Sequence, residues 1–310
     1  MALPIKLALP EHFLDEEVRC EYTVTSKLKK IWAVELDLLN ELLRVCRKHG
    51  IKVAVFGGTL LGAVRHRGFI PWDDDLDIAL DRENFNKLCA VAPSEFKHPY
   101  FLQTARSDRR FYFAYARLRN SETTAVITGH ETPDYNNGIY IDVYVLEGYT
   151  DSKLKWKIQT FLQILTVKFL TLYYQGKRRN NSLKERILRL PRPFVRMFKY
   201  ETLMRLYEGV LGMYTKSSSR IGIRDEMTET AKHYWFFKHE FDDIVELPFE
   251  NLMVPAPAEY VKILSRIFGD FMKFPPPEKR GAWHEGQITF DPDVGYERFL
   301  KCRDGKPNRE

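Results

Sequence analysis

An apolar run, a diglycine and a group of aspartates follow one another between residues 51 and 80. Residues 51–56 are mostly apolar and β-branched, which predicts a buried strand. Gly57 and Gly58 end that strand, because residues without a Cβ atom permit a tight turn and let the backbone approach a phosphate closely. Thr59 is predicted to cap a short helix over residues 60–64, whose first amide groups would face an anion.

Three carboxylates follow this turn at positions that suit a divalent cation. In residues 75–80, the alternation of a strand places Asp75 and Asp77 on the same face. Asp142 lies within the apolar run 138–146, where a lone carboxylate is costly unless it is paired or bound to a metal. Because Mg²⁺ prefers oxygen ligands, the pattern predicts that these three aspartates hold Mg²⁺ or Mn²⁺ and take part in catalysis.

Each of these features alone also has an ordinary structural explanation. A diglycine is usually a turn, residues 73–75 could form a solvated loop or a helix start, and an aspartate in a strand often binds a neighbouring loop. The ordered combination of strand, diglycine, acidic pair and later aspartate is much more specific than any one part. It indicates chemistry at the phosphates of a nucleotide.

Longer motifs surround these residues. Residues 57–78 read GGTLLGAVRHRGFIPWDDDLDI, and shorter runs follow, namely FLQTARSD at 101–108, ARLRNSETT at 116–124 and IYIDV at 139–143. With these runs the chain resembles the LicD family of phosphocholine transferases, which includes the fukutin-related proteins and belongs to the nucleotidyltransferase-fold superfamily. Near the C-terminus the resemblance is moderate and rests on YVKIL at 260–264, FGDFM at 268–272 and PPPEKR at 275–280.

The resemblance implies both a fold and a reaction. The fold would be α/β, or α+β, with a nucleotidyltransferase-like mixed sheet flanked by helices. The reaction would be metal-dependent transfer of phosphocholine from CDP-choline to a sugar hydroxyl of a cell-envelope glycan, of the teichoic acid or lipopolysaccharide type, with release of CMP. Asp75 and Asp77 would hold the metal, whereas Asp142 would hold a second metal or accept the proton of the attacking hydroxyl.

Further residues near the motifs are candidates for binding the donor. Those expected to approach its phosphates are Gly57, Gly58 and Thr59 through the backbone, and Arg65, Arg67, Arg117 and Arg119 through their guanidinium groups. Surface charge is the alternative explanation for each arginine. An aromatic cage for the choline ammonium would use Trp72, Tyr140 or Trp283, although core packing is the better explanation for any single ring. His66 and His284 are the remaining candidates for the site.

Positive charge is concentrated in one segment of the chain. Residues 177–199 contain nine basic residues and one acid, so their formal charge of +8 exceeds the +6 of the whole chain. The apolar run before this segment contains Lys168 at its centre, which favours a core helix or a helix in the membrane plane over a transmembrane span. The basic segment is either a solvated face or a contact with anionic lipid, and no nucleic-acid partner is expected.

Cysteine spacing, the N-terminal residues and the pattern of apolar and basic segments indicate the general organisation of the chain. Four scattered cysteines argue against a disulfide framework or a zinc site, and the first ten residues do not resemble a signal peptide. We therefore expect a cytoplasmic protein, peripheral at the inner membrane face if the basic segment binds lipid. The expected parts are an N-terminal helical segment over residues 1–50, a catalytic core over 51–150, a basic helical appendage over 151–215 and a C-terminal segment packing on the core over 216–310. In the first part, Ser26 is predicted to cap a helix that runs to His49 and stops at Gly50.

Three other functions are compatible with parts of the pattern. The same fold could transfer ribitol phosphate or glycerol phosphate from a CDP-linked donor, or it could carry out true nucleotidyl transfer with loss of pyrophosphate. A non-catalytic, membrane-apposed binding protein is the third alternative. The three aspartates argue against this last function, because a binding module does not need converging carboxylates.

Overall fold

The computed structural model of the chain describes residues 3–128, 135–174, 192–225, 235–282 and 284–303. Its strands are, in chain order, β1 (Glu17–Arg19), β2 (Tyr22–Val24), β3 (Ala54–Val55), β4 (Asp77–Asp81), β5 (Tyr100–Gln103), β6 (Ala116–Asn120), β7 (Thr124–Ile127), β8 (Ile139–Tyr149), β9 (Arg220–Ile223), β10 (Trp235–Phe237), β11 (Ile244–Phe249), β12 (Leu252–Pro257) and β13 (Ile288–Asp291).

The helices are distributed along the whole chain. They are α1 (Ser26–His49), α2 (Gly57–Arg65), α3 (Arg82–Glu95), α4 (Lys153–Tyr174), α5 (Arg192–Val195), α6 (Tyr200–Leu211), α7 (Tyr260–Phe268) and α8 (Tyr296–Arg303). Short 3₁₀ turns cover Lys238–Phe241 and Pro277–Lys279. The predicted mixed α/β fold class is confirmed.

The central sheet is organised around the long strand β8. Its strands follow the order β10, β9, β8, β4 and β3, while β6 pairs with another part of β8 and β5 pairs with β6. The pairing of β4 with β8 is parallel, and the other pairings in this sheet are antiparallel. Since β8 has eleven residues, one of its edges pairs with β6 over residues 139–143 and then with β9 over residues 146–149, while its other edge pairs with β4 over residues 142–146.

Helix α1 covers this sheet with a continuous apolar face. Buried side chains recur along it every three or four residues, as expected for a helix that packs on a core: Trp32, Leu36, Leu39 and Leu43. The helix packs on β6 and β8. Its predicted end is correct, because Gly50 adopts the left-handed conformation with φ of 61°. Its predicted start is wrong by one residue, since the cap is the hydroxyl of Thr25, which accepts from the amide of Leu28.

The strand predicted over residues 51–56 is shorter in the structure. Only Ala54 and Val55 pair with β4, although Ile51, Val53 and Phe56 are buried as expected. Burial therefore follows the apolar pattern. Strand pairing stops earlier, because α2 already begins at Gly57 and Phe56 serves as its N-cap residue.

The helical region after the core forms a second, smaller cluster. Leu170 of α4, Val195 of α5 and Leu203 of α6 pack with Ala105 and Ala114 from the loop before β6. In the predicted basic segment, residues 177–191 lie outside the described residues, so its contact with lipid stays a prediction. None of the helices in the described part of the chain is long and apolar enough to cross a membrane.

The helix terminus at Gly50 gives a test of the fold. We expect Gly50→Ala to lower the free energy of unfolding by about 1 kcal/mol, because a Cβ atom is disfavoured at positive φ even where space is free. Gly209→Ala is the matched control, since this site in α6 is equally open but has no left-handed φ. Urea unfolding of this control should give a free energy of unfolding about 0.5–1 kcal/mol higher than that of the wild type. Equal effects of the two variants would contradict the assigned helix end.

Candidate active site

The parallel register of β4 and β8 places Asp77 directly opposite Asp142. The register is fixed at this point by the amide of Asp142, which donates to the carbonyl of Leu76 at 2.9 Å. Asp75 lies two residues before β4. Burial is the main cause that raises the pKa of the Asp75 carboxyl, and the charges of Asp73 and Asp142 add to it. The structure thus brings the three predicted carboxylates to the same region, at the start of β4.

The diglycine lies against this region and makes room for carboxylates. A Cβ atom on Gly57 would lie 2.8 Å from Oδ2 of Asp77, and one on Gly58 would lie 2.8 Å from Oδ2 of Asp73. Gly57 also has a φ of 51°, which few other residues adopt. The start of α2 therefore faces two acidic side chains, and its amide end favours negative charge there.

Thr59 does not cap the helix, which corrects the prediction. It lies inside α2, because the helix begins two residues earlier at Gly57. Its buried hydroxyl instead accepts a hydrogen bond from the amide of Asp77 at 2.7 Å. Thr59 thereby connects α2 to the first residue of β4.

Asp73 and Asp74 extend the acidic group beyond the predicted residues. Among the described residues, Asp73, Asp74 and Asp75 form a group that could hold a cation, because one ligand atom from each lies within 4.8 Å of the others. Asp77 and Asp142 are not part of that group. Burial, followed by the charges of Asp77 and Asp74, raises the pKa of Asp73 to about 7. The consecutive aspartates were visible in the sequence but were open to explanation as a solvated loop.

Glu35 is a further acidic residue that the sequence patterns did not single out. It projects from α1 and is 1% exposed, and its Oε2 atom has no hydrogen-bond partner among the described residues. Burial raises its carboxyl pKa well above the ordinary value, and the nearby charge of Asp75 adds to this effect. A carboxylate on the apolar face of a helix, four residues from both Ile31 and Leu39, was the signal that could have revealed it.

Two cationic side chains face the aspartates. His284 Nδ1 lies 3.1 Å from Oδ1 of Asp74 and 4.0 Å from Oδ2 of Asp75. Burial opposes the charge of His284, but the hydrogen bond to Asp74 and the charge of Asp75 outweigh it and raise the imidazole pKa. Arg117 Nε donates to Oδ1 of Asp142 at 2.7 Å. Both were predicted for the site, and both lie beside its carboxylates.

The other predicted arginines have different surroundings. Arg119 is buried and donates to Oε1 of Gln103 at 2.6 Å and to the carbonyl of Gly138 at 2.5 Å. Arg65 donates to the carbonyl of Phe271 at 2.8 Å and so holds the C-terminal segment against α2. Arg67 is exposed. Their phosphate contacts stay predictions, and Arg117 is the arginine of this set paired with a site carboxylate.

The predicted aromatic residues are packed against cations of the protein itself. Trp72 is buried, and its ring lies 5.1 Å from the guanidinium of Arg280. Tyr140 is also buried, with the guanidinium of Arg117 at 3.9 Å from its ring centre. Trp283 lies outside the described residues. The ring of His66 stacks on Phe274, and burial, followed by the charge of Arg65, lowers its pKa to about 4.

The donor set fits a hard divalent cation. His284 and Arg117 pair with Asp74 and Asp142, while burial and then like charges raise the pKa values of Asp73 and Asp75. Glu35 adds a buried carboxylate oxygen with no partner among the residues described. Oxygen ligands with an excess of negative charge are what Mg²⁺ or Mn²⁺ requires, so the residues present suit such an ion.

Comparison with known proteins identifies the domain that contains this site. Residues 50–175 match the model of the LicD/FKTN/FKRP nucleotidyltransferase domain. The chain contains a LicD-family nucleotidyltransferase domain. It is also 23% identical over 261 residues to the lipopolysaccharide cholinephosphotransferase LicD of Haemophilus influenzae, an alignment of 83% of this chain and 96% of that protein. The resemblance inferred from the motifs is therefore confirmed.

Shorter similarities concern uncharacterized rickettsial proteins. One from Rickettsia prowazekii is 40% identical over 80 residues, which are 26% of this chain and 28% of that protein. Another from Rickettsia typhi is 49% identical over 48 residues, or 16% of each chain. These stretches add no function to the LicD domain, because neither relative has an assigned one.

The bond between Thr59 and Asp77 gives a test of the site's framework. We expect Thr59→Val to lower the free energy of unfolding by about 1–3 kcal/mol, because it removes a buried acceptor from the Asp77 amide. Thr59→Ser keeps the hydroxyl, so urea unfolding should show a clearly smaller loss in the free energy of unfolding. If the two variants lose equally, the hydroxyl does not help to hold β4 against α2.

Proposed function

We propose that this protein transfers phosphocholine from CDP-choline to a sugar hydroxyl of a cell-envelope glycan and releases CMP. The observation that supports this most strongly is the similarity to the Haemophilus cholinephosphotransferase, which extends over 96% of that protein. An alignment over 83% of this chain is long enough that it must include the acidic region around Asp75 and Asp77. We propose a glycan of the lipopolysaccharide or teichoic acid type as the acceptor.

We further propose that Mg²⁺ or Mn²⁺ assists the reaction. Asp75 and Asp77 would hold the ion, as their alternation in sequence suggested, and Asp73 and Asp74 supply further oxygens within reach of Asp75. When bound, such an ion neutralises the charge that develops on the donor phosphates. Glu35 lies behind these aspartates and would add to the negative potential that attracts the cation.

The chain's own groups account for binding and proton transfer. The backbone at Gly57 and Gly58 would receive donor phosphates, since α2 begins there and the N-terminal end of a helix favours negative charge. The acceptor oxygen attacks the phosphorus that bears choline, a new P–O bond forms, and the bond to CMP breaks. Asp142 would take the proton of the attacking hydroxyl, because Arg117 orients its carboxylate and because it lies outside the group formed by Asp73, Asp74 and Asp75.

Substitution of the paired aspartates tests the catalytic assignment. We expect Asp75→Asn and Asp77→Asn each to lower the rate of CMP release by at least about 10³, the scale of losing a major electrostatic contribution. Both variants should remain folded, since removing charge from an acidic cluster relieves repulsion. Asp15→Asn is the control, because this exposed residue contacts only His12 in the N-terminal loop among the described ion pairs. Near-normal turnover of either site variant would refute the assignment.

A panel of donors tests the proposed substrate. With Mg²⁺ and a choline-free glycan acceptor, CDP-choline should release CMP faster than CDP-ethanolamine, CDP-glycerol or CDP-ribitol. A quaternary ammonium bound by aromatic rings gains roughly 0.5–2 kcal/mol, which corresponds to about a 2- to 30-fold preference. Preference for CDP-ribitol or CDP-glycerol would instead assign a polyol phosphate. Release of pyrophosphate from a nucleoside triphosphate would assign nucleotidyl transfer, and absence of any turnover would favour a binding protein.

A further inference from the structure

Helix α4 is oriented with polar side chains inward and large apolar side chains outward. Its buried face includes Gln159 and Gln163, which are 0% and 2% exposed. On the opposite face, Leu154 is 68% exposed and Phe161 is 65% exposed, with Ile158 between them. The spacing of these three residues, four and then three positions apart, places them on one side of the helix. This distribution is the reverse of that expected for a helix between a core and water.

Specific hydrogen bonds fix the inward side. The side-chain amide of Gln159 donates to the carbonyls of Val210 and Leu211, at 2.8 and 3.0 Å, where α6 ends. The amide of Gln163 donates to the carbonyl of Arg224 at 2.5 Å. Buried polar groups with such partners hold one orientation, because turning the helix would leave them unsatisfied. These hydrogen bonds therefore keep the apolar face of α4 directed away from α6 and Arg224.

The element that packs beside α4 has the same character. Arg196 donates to the carbonyl of Tyr173, and Val195 shares a small core with Leu170. In and directly after α5, Phe194, Met197 and Phe198 are exposed, Met197 to 80%. Two neighbouring elements thus present large apolar side chains that none of the described residues covers.

The charges on these elements are of one sign. Helix α4 contains four lysines and no acid, and residues 192–199 contain three basic residues and no acid: Lys153, Lys155, Lys157, Lys168, Arg192, Arg196 and Lys199. A face with Leu, Ile and Phe, bordered by lysines whose long stems reach outward, matches the interface of an anionic bilayer. A second copy of this chain fits less well, because a two-fold contact would bring like charges together.

We propose that the outward face of α4, formed by Leu154, Ile158 and Phe161, lies in the surface of an anionic lipid bilayer. The apolar side chains would enter the boundary between headgroups and acyl chains, and the lysines would bind lipid phosphates. The helix lies in the membrane plane in this arrangement. The contact involves none of the site residues and does not depend on the transfer reaction.

Vesicle binding tests this surface. The purified full chain should co-sediment with vesicles of phosphatidylcholine and phosphatidylglycerol, and binding should fall as salt increases. Ile158→Gln with Phe161→Gln should lower the partition coefficient at least about tenfold, since both side chains would leave the lipid. Lys153→Glu with Lys157→Glu should weaken binding at low salt and flatten its salt dependence. In the variant Phe161→Trp, the added tryptophan should show blue-shifted fluorescence emission only when anionic vesicles are present.

The matched control removes similar apolar groups elsewhere. Met253 on β12 and Val261 on α7 are 50% and 52% exposed, and changing both to Gln should leave vesicle binding intact. All these positions are exposed, so the thermal unfolding of each variant should match that of the wild type. The proposal is overturned if the wild type ignores anionic vesicles at low salt or if the α4 double variant binds like the control. It is also overturned if light scattering shows a dimer that this double variant dissociates.

Discussion

Where β4 meets β8, the amide of Asp142 donates to the carbonyl of Leu76, and the parallel register that follows holds Asp77 opposite Asp142. The two residues are 65 positions apart in the sequence, so no local preference could bring them together. A shift of one residue in this pairing would turn one carboxylate to the opposite face of the sheet. Helix α2 supports the same register, because the hydroxyl of Thr59 binds the first amide of β4. The site thus depends on backbone pairing before it depends on any side chain.

Concentrating acidic groups in this way is costly, and the surroundings offset part of the cost. The N-terminal end of α2 faces Asp73 and Asp77, while His284 and Arg117 each bind one further aspartate. Burial, together with the repulsion that remains, raises the pKa values of Asp73, Asp75 and Glu35. A bound cation would relieve this repulsion, so any affinity of the site for a metal would come from the same concentration of charge.

Much of this arrangement could be predicted from the sequence, and the limits have physical causes. The diglycine, the acidic pair and the apolar strand around Asp142 were informative in combination, because each alone has an ordinary explanation but their order along the chain is typical of a site. The role of Thr59 was misassigned, because Gly57 can begin a helix at a positive φ and so moves the cap to Phe56. The apolar face of α1 could have drawn attention to Glu35, but its proximity to Asp75 and the hydrogen bonds of the inward glutamines of α4 depend on tertiary contacts, which hydrophobic patterning does not specify. From hydrophobic patterning alone, the apolar face of α4 would be expected to be buried and its glutamines to be exposed.

The position of His284 has a consequence for when the site comes into being. This residue lies beyond the core in sequence and is held near Asp74 by β13, which pairs with β7, and by Arg65, which binds the carbonyl of Phe271. A ribosome adds amino acids from the N-terminus, so Asp74 is made 210 residues before its histidine partner. The pairing of His284 with Asp74 therefore cannot form until residues 284–291 have been made and β13 has paired with β7.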